Sequence, residues 1–565
     1  MTSTAVVGVT GTVAGCADEN DPATHVKRLS DAATRTPSVN RLIQFFEDAM
    51  TRDKDDRNGP TVKPLLDLIV QPMTETCVAG DLDERTNSKL IKFLSDTRDP
   101  RSEPCIIKAL KDYKMDSTED DVRSAARAVK FLKLKSAAGP LMEVFTKIRA
   151  SKPKASTVYR DVSDAMIELV DPSWEQQLIT YLGRPVDPKV PATVTDEMFW
   201  QITAAQVLGL MKSTNAVKPL IKVVLSPYKA AGAMTAIFAL MKIGKPAIGP
   251  TVALLKGEDN ELVEYSKIEQ TKAAGGDKNA EKAAATAHIG AAALILATIG
   301  RDEVAAPLIE VAGKADDTSR AIIARELAKV PRSPATIKAF QEAFEKSTVS
   351  LDLPPAGQGA REVLLEAAGT FYDPSFVPWI LKQAKDMKGE ESDLEPIRAA
   401  SLAACMKLAT ADQFKLLDDL YNTKVNTEGK TSILGKGYEK EFKLAKDVAT
   451  TCGEKLDCYL DKLGDPASQK EDTQFQGIKA AYMIGELGNP AAREKIIDMM
   501  PKLTNGAVRF AAVSVVDFLS PKGDTNIASA LQKIVDAGEA SKDAEKIKLN
   551  SPFRTVIYRL TARAQ

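Results

Sequence analysis

From about residue 38 the chain alternates two kinds of segment: runs whose apolar residues recur at helical spacing, and short polar turns. One phrase recurs. It reads Ala204-Ala205-Gln206-Val207-Leu208-Gly209-Leu210-Met211, a turn, then Ala216-Val217-Lys218-Pro219-Leu220-Ile221. It returns as Ala292 to Gly300 followed by Ala305-Ala306-Pro307-Leu308-Ile309, and as Ala239 to Gly244 followed by Ala247-Ile248-Gly249-Pro250. Further copies are Ala128 to Leu132 with Ala137-Ala138-Gly139-Pro140-Leu141, and Ile484 to Ala491, where Lys495 replaces the proline. Each predicts a helix, a tight turn and a second helix. Glycine supplies the positive φ that ends the first helix. Proline sits in the first turn of the second, where a missing N–H costs little. Other turns use Asp171-Pro172, Asp373-Pro374 and Asp465-Pro466, in which Asp caps and Pro presets φ.

A second signature opens the first helix of several units: Val122-Arg123-Ser124-Ala125-Ala126, Val508-Arg509-Phe510-Ala511-Ala512, Ile397-Arg398-Ala399-Ala400 and Ile478-Lys479-Ala480-Ala481. The branched residue faces the core, the small pair admits the next helix, and the cation lies one position off that face. Together these features resemble HEAT repeats, including the HEAT-like repeats of phycobilisome lyases. The resemblance runs from about 38 to 540 and is weaker before 115 and between 315 and 390. It implies an all-α fold, an α-solenoid (superhelix) of about thirteen antiparallel helix pairs at the HEAT period of roughly 40 residues. No pair buries its apolar face alone, so stacking is obligatory. The stretches 257–281, 348–360 (with Pro354-Pro355) and 424–440 break the period and predict loops or short extra elements. Residues 541–565 predict a capping helix.

Composition supports stacked helices. At 565 residues the chain exceeds what one core serves, and aromatics are only 5% while alanine is abundant. Lys+Arg (76) and Asp+Glu (77) cancel and are interleaved, without the cationic block that nucleic acid requires. No apolar run approaches the roughly 20 residues of a transmembrane helix.

Residues Ala5 to Gly15 are apolar or small, the length of a signal-peptide core. Val13-Ala14-Gly15-Cys16 resembles the lipobox of bacterial lipoproteins. That resemblance implies cleavage before Cys16, a lipid on Cys16, a polar tether over 17–37, and a cell-envelope location on the outer membrane facing the periplasm. No Lys or Arg precedes the apolar run, a departure from the signal-peptide pattern.

Candidate chemistry is sparse. The two histidines, His25 and His288, are far apart, and no HExxH, CxxC or phosphate-loop pattern is present. No catalytic residue, cofactor, metal or small-molecule substrate is expected. Beyond Cys16, an exported chain permits pairing of Cys452 with Cys458, six apart, and of Cys77 with Cys105 in neighbouring repeats. Cys405 reads as a small buried hydrophobe. Asp120-Asp121, Asp316-Asp317 and Glu390-Glu391 read as helix starts or loops, and Trp174, Trp200 and Trp379 as core. The expected function is a non-enzymatic scaffold that binds protein partners through the solenoid surface and meets the membrane only through its lipid. The alternatives are a lyase-like enzyme or accessory subunit, and a cytosolic adaptor.

Overall fold

The computed structural model describes residues 18–353, 358–427 and 430–564; Cys16 and the whole leader lie outside the described residues. Helices carry nearly all the regular structure. Among the described residues the strands are two short antiparallel ribbons, Asp352–Leu353 with Gln358–Gly359 and Lys424–Thr427 with Lys430–Ile433. They occupy two of the stretches that break the repeat. The third, 257–281, is helical over Asn260–Ala274 and again from Lys278.

The chain forms two compact units, residues 1–177 with 187–203, and residues 178–186 with 204–565. In the first, the helices Ala32–Arg52, Glu84–Thr97, Glu119–Leu132 and Ala155–Leu169 stack on one another. Their partners Val62–Ala79, Glu103–Lys111 and Ala138–Lys147 form a second row. The predicted motif explains the joint: Val122, Ala125, Ala126 and Val129 are fully buried, and their small side chains let neighbouring helices approach. Two indoles tie rows together. Trp174 Nε1 donates to the Ala138 carbonyl at 3.1 Å and Trp200 Nε1 to that of Phe145 at 2.8 Å.

The larger unit repeats the scheme. Its first helices follow the order Ala230–Ile243, Ala287–Ile299, Asp317–Leu327, Ala360–Gly369, Glu391–Leu408, Glu439–Cys452, Gln474–Leu487, Gly506–Phe518 and Ser551–Arg563, each packed on the next. The last then packs against the first, so this series closes on itself. Residues Ser551–Arg563 were expected only to cap an end; they also join the two ends of the unit.

Other expectations need correction. The stretch 17–37, read as a polar tether, holds helix Pro22–Arg28, the start of Ala32–Arg52 and a buried His25 whose Nε2 meets the Glu19 carbonyl at 3.0 Å. Asp21 and Asp31 cap these helices, so residues read as solvating polar groups are helix starts. Gly209 lies inside helix Pro191–Leu210, and Lys212 takes the positive φ of 54°. Gly300 and Gly488 do terminate their helices, each at φ 64°. Pro140, Pro219 and Pro307 stand in the first turn as predicted. Pro250 instead lies within helix Lys245–Leu255, where Pro246 takes the first-turn place.

Candidate functional site: the interior of the larger unit

Closure of the larger unit is made by arginines on carbonyls. The last carbonyls of a helix lack intrahelical donors and carry the negative end of its dipole, so a cation is the natural partner. Arg563, almost fully buried, donates from Nε to the Gly300 carbonyl at 2.9 Å and from Nη1 to Asp517 Oδ1 at 3.0 Å. Arg301 returns the contact, donating to the Ala562 carbonyl at 3.1 Å. Arg559 donates to the Lys329 carbonyl and pairs with Asp517 at 3.1 Å. Gly300 takes a positive φ of 64°, and a Cβ there would stand 2.8 Å from the Arg563 guanidinium.

The closed series lines a cavity of about 860 Å³ that opens to solvent, within the range of about 300–1,000 Å³ typical of small-molecule sites. One wall is aromatic. Tyr372 meets Tyr482 at 5.2 Å and Phe518 at 4.6 Å between ring centroids, both rings tilted against it. It reaches them because residue 485 is glycine; a Cβ there would lie 2.4 Å from the Tyr372 ring. Arg332 sits over Phe518 at 5.3 Å and donates to the Phe371 and Tyr372 carbonyls. Helices Ala230–Ile243, Ala287–Ile299 and Ser551–Arg563 contribute Met234, Phe238, Leu294 and Val556 to the lining.

The lining charge is one-sided: Lys329, Arg332, Lys407, Arg559 and Arg563 against Asp517 alone. Four of the five bases are held by protein oxygens. Lys407 is not. Its ammonium has no hydrogen bond or ion pair among the described residues, only the Tyr482 ring, 5.7 Å from Nζ to centroid. Burial lowers its pKa, opposed by the field of Glu366. Burial also pushes the Tyr482 hydroxyl up to about 12, so it stays protonated.

Behind this wall, Lys479 is fully buried. Its ammonium donates to the Lys407 and Ala409 carbonyls at 2.9 and 2.6 Å, capping helix Glu391–Leu408, and burial pulls its pKa down to about 7. Glu486 is pushed up to about 7, by burial first, and its Oε2 has no hydrogen bond. Arg509 is buried too and donates to the Met500 and Leu503 carbonyls. The motif cation, expected beside the core face, is in these two repeats a buried cap, Arg509 on the preceding pair and Lys479 on helix Glu391–Leu408 of the pair before that.

The first unit presents a different surface. Between helices Glu119–Leu132 and Ala155–Leu169 runs a ladder of ion pairs: Arg127 to Asp161 at 3.1 Å, Lys130 to Asp164 at 2.9 Å and Lys133 to Glu168 at 2.8 Å. Beside it Phe131 is 52% exposed, with the Arg98 guanidinium 3.6 Å from its ring centroid.

Cys77 is bonded to Cys105, with Cα atoms 5.7 Å apart, and Cys452 to Cys458, at 5.4 Å. Cys405 is free and buried, and burial raises its thiol pKa far above the ordinary value. His288 is buried, which lowers its pKa. Asp316 caps its helix by accepting from Ser319 N, and Glu391 pairs with Arg398. No group of three or more His, Cys, Asp or Glu side chains suited to a metal occurs among the described residues. Sequence reasoning missed Lys407, Tyr372, Tyr482 and the terminal arginines. The available signal was Arg554, Arg559 and Arg563 spaced along one helix; their carbonyl partners, hundreds of residues away, carry no signal.

No protein-family model matches the sequence, and no curated protein matches it. Among solved structures, importin beta is similar at 11% identity and TM-score 0.37, covering 95% of this chain and 69% of that one. A structure from work on the interaction between cadherin and beta-catenin is similar at 13% identity and TM-score 0.25, covering 96% and 99%. A SYS-1/POP-1 complex gives 10% identity and TM-score 0.28, covering 95% and 99%. These values are low; the all-α solenoid architecture rests on the helix order and packing described above.

Proposed function

We propose that the chain is a non-enzymatic repeat scaffold that binds a protein partner through the first helices of its smaller unit. The observation that carries this is the ion-pair ladder flanking the exposed Phe131. Exposed ion pairs are worth about 0–1 kcal/mol each, so a partner's charges can replace them at little cost. An exposed aromatic beside an arginine has the chemistry of an interface anchor. The free thiol gives no support to an enzyme reading, because burial raises its pKa where a nucleophile needs it lowered. A photo-crosslinker placed at Phe131 is expected to give discrete protein adducts in envelope extracts, lost with Lys130→Glu. The same probe at Lys147, on the second row, is expected to give none. Equal labelling from both positions would sink the proposal.

We further propose that the chain is exported and anchored by a lipid on Cys16, on the outer membrane. The two disulfides support the export, since such bonds persist in oxidising compartments. No single described helix is long and apolar enough to cross a membrane. Mass analysis of the mature N-terminus tests it: a diacylated Cys16 is expected, and Cys16→Ser is expected to release the protein into the soluble fraction. An unmodified Cys16 in an intact N-terminal segment would refute the anchor.

A further inference from the structure

The cavity of the larger unit is distinct from the protein-binding face and has its own chemistry. Its walls are largely apolar and aromatic, and its lining carries five basic residues against one acidic residue. Each of the other four bases is already engaged by protein oxygens, whereas the Lys407 ammonium has no oxygen partner. The hydroxyl of the adjacent Tyr482 also makes no hydrogen bond with the protein. Two large apolar side chains of the lining, Met234 and Phe510, are 51% and 57% exposed, the highest values among the described large apolar residues of this unit. A half-buried cation without a counter-ion is costly, and exposed apolar area is favourable to cover. Both are relieved by one kind of occupant.

We propose that this cavity binds a small amphipathic organic anion, an apolar body carrying one carboxylate or sulfonate, with Lys407 and Tyr482 taking the acidic group. The volume of about 860 Å³ suits a drug-sized molecule. An acidic peptide fits less well, because its repeated N–H and C=O groups would go unpaired against a mostly apolar wall. Glu366 acts on Lys407 and Tyr482 only through space and is itself exposed, so water screens it.

Fluorescence titration of the full chain with 8-anilinonaphthalene-1-sulfonate, and with its neutral analogue N-phenyl-1-naphthylamine, tests the assignment. The sulfonate is expected to bind about tenfold tighter. Lys407→Met is expected to remove that preference and leave the neutral probe unchanged. Ser514→Trp, a partly exposed lining position, is expected to block both probes without changing the melting temperature. Decanoate is expected to displace the sulfonate where decanol does so at least about tenfold less well. Equal affinity for the two probes, an unaltered preference in Lys407→Met, or unaltered binding in Ser514→Trp each overturns the proposal. Displacement by a decaglutamate peptide but not by decanoate overturns it in favour of a peptide.

Discussion

The two units use the same charged residues in opposite ways. In the smaller unit, Arg127, Lys130 and Lys133 lie on the surface and pair with carboxylates one helix away. In the larger, Lys479, Arg509 and Arg563 are buried and donate mainly to backbone carbonyls at helix ends. The first arrangement is open to water and salt and leaves its groups available to another molecule. The second satisfies orphan carbonyls where water cannot, so each cation is structural and hard to remove. One unit therefore offers a surface, while the other frames an open cavity.

The comparison breaks first at the closure. Arg563→Ala removes donors from the Gly300 carbonyl and from Asp517 in a buried site, a loss expected to cost about 4 kcal/mol. Chemical denaturation is expected to show that loss, and hydrogen exchange to show selective loss of protection in helices Ser551–Arg563 and Ala230–Ile243. Exchange that rises equally in both units would mean that the closure is not a local feature of the larger one.

Disulfides sharpen the contrast next. The Cys77–Cys105 bond closes a loop with sequence separation 28, and Cys452–Cys458 one with separation 6. On the chain-entropy account the longer loop gives more, so replacing Cys77 and Cys105 with alanine is expected to cost about 3 kcal/mol and replacing the other pair less. Melting of the two double variants checks the order. The smaller unit then depends more on its covalent link than the larger, whose buried arginines do similar work.

Lys479 gives the comparison a pH axis. Its folded pKa, about 7, lies below the ordinary 10.5, with burial the first cause. Between those values the unfolded chain holds a proton that the folded chain has lost, so stability from this group rises with pH from about 7 to 10.5. Below about pH 7 both states are protonated and the burial cost is borne in full. Lys479→Met is expected to flatten that rise in urea-unfolding measurements. It is also expected to cost about 2 kcal/mol at pH 9, because the Lys407 and Ala409 carbonyls lose their donor. A slope that persists in the variant would place the titration elsewhere.

Much of the architecture is legible in the chain because it is local. Gly300, Gly488, Pro219 and the Asp-Pro turns fix where helices end and begin, and Val122-Ala125-Ala126 fixes which faces stack. The closure is not legible, because Arg563 and Gly300 are joined across 263 residues by a hydrogen bond with no sequence period. The cavity is equally silent: Lys407 reads as an ordinary surface lysine after an apolar run, and only the fold brings Tyr482 beside it. Helix Pro22–Arg28 was missed for a different reason. Its segment is short and polar, and its start depends on Asp21 accepting from Ala23 N, a cap that charge counting reads as tether.

The smallest effect is the most discriminating. Arg127 is 51% exposed and pairs with Asp161 at 3.1 Å, a site that Arg123 also approaches at 3.5 Å. Arg127→Ala therefore leaves Asp161 a partner and water, and is expected to change stability by about 0.5 kcal/mol or less, vanishing at high salt. If the ladder is a docking face, the same substitution is expected to weaken crosslinking from position 131 far more than it weakens the fold. A variant that loses stability and partner adducts in proportion would mean that the surface pairs are structural after all, and that the two units differ only in depth of burial.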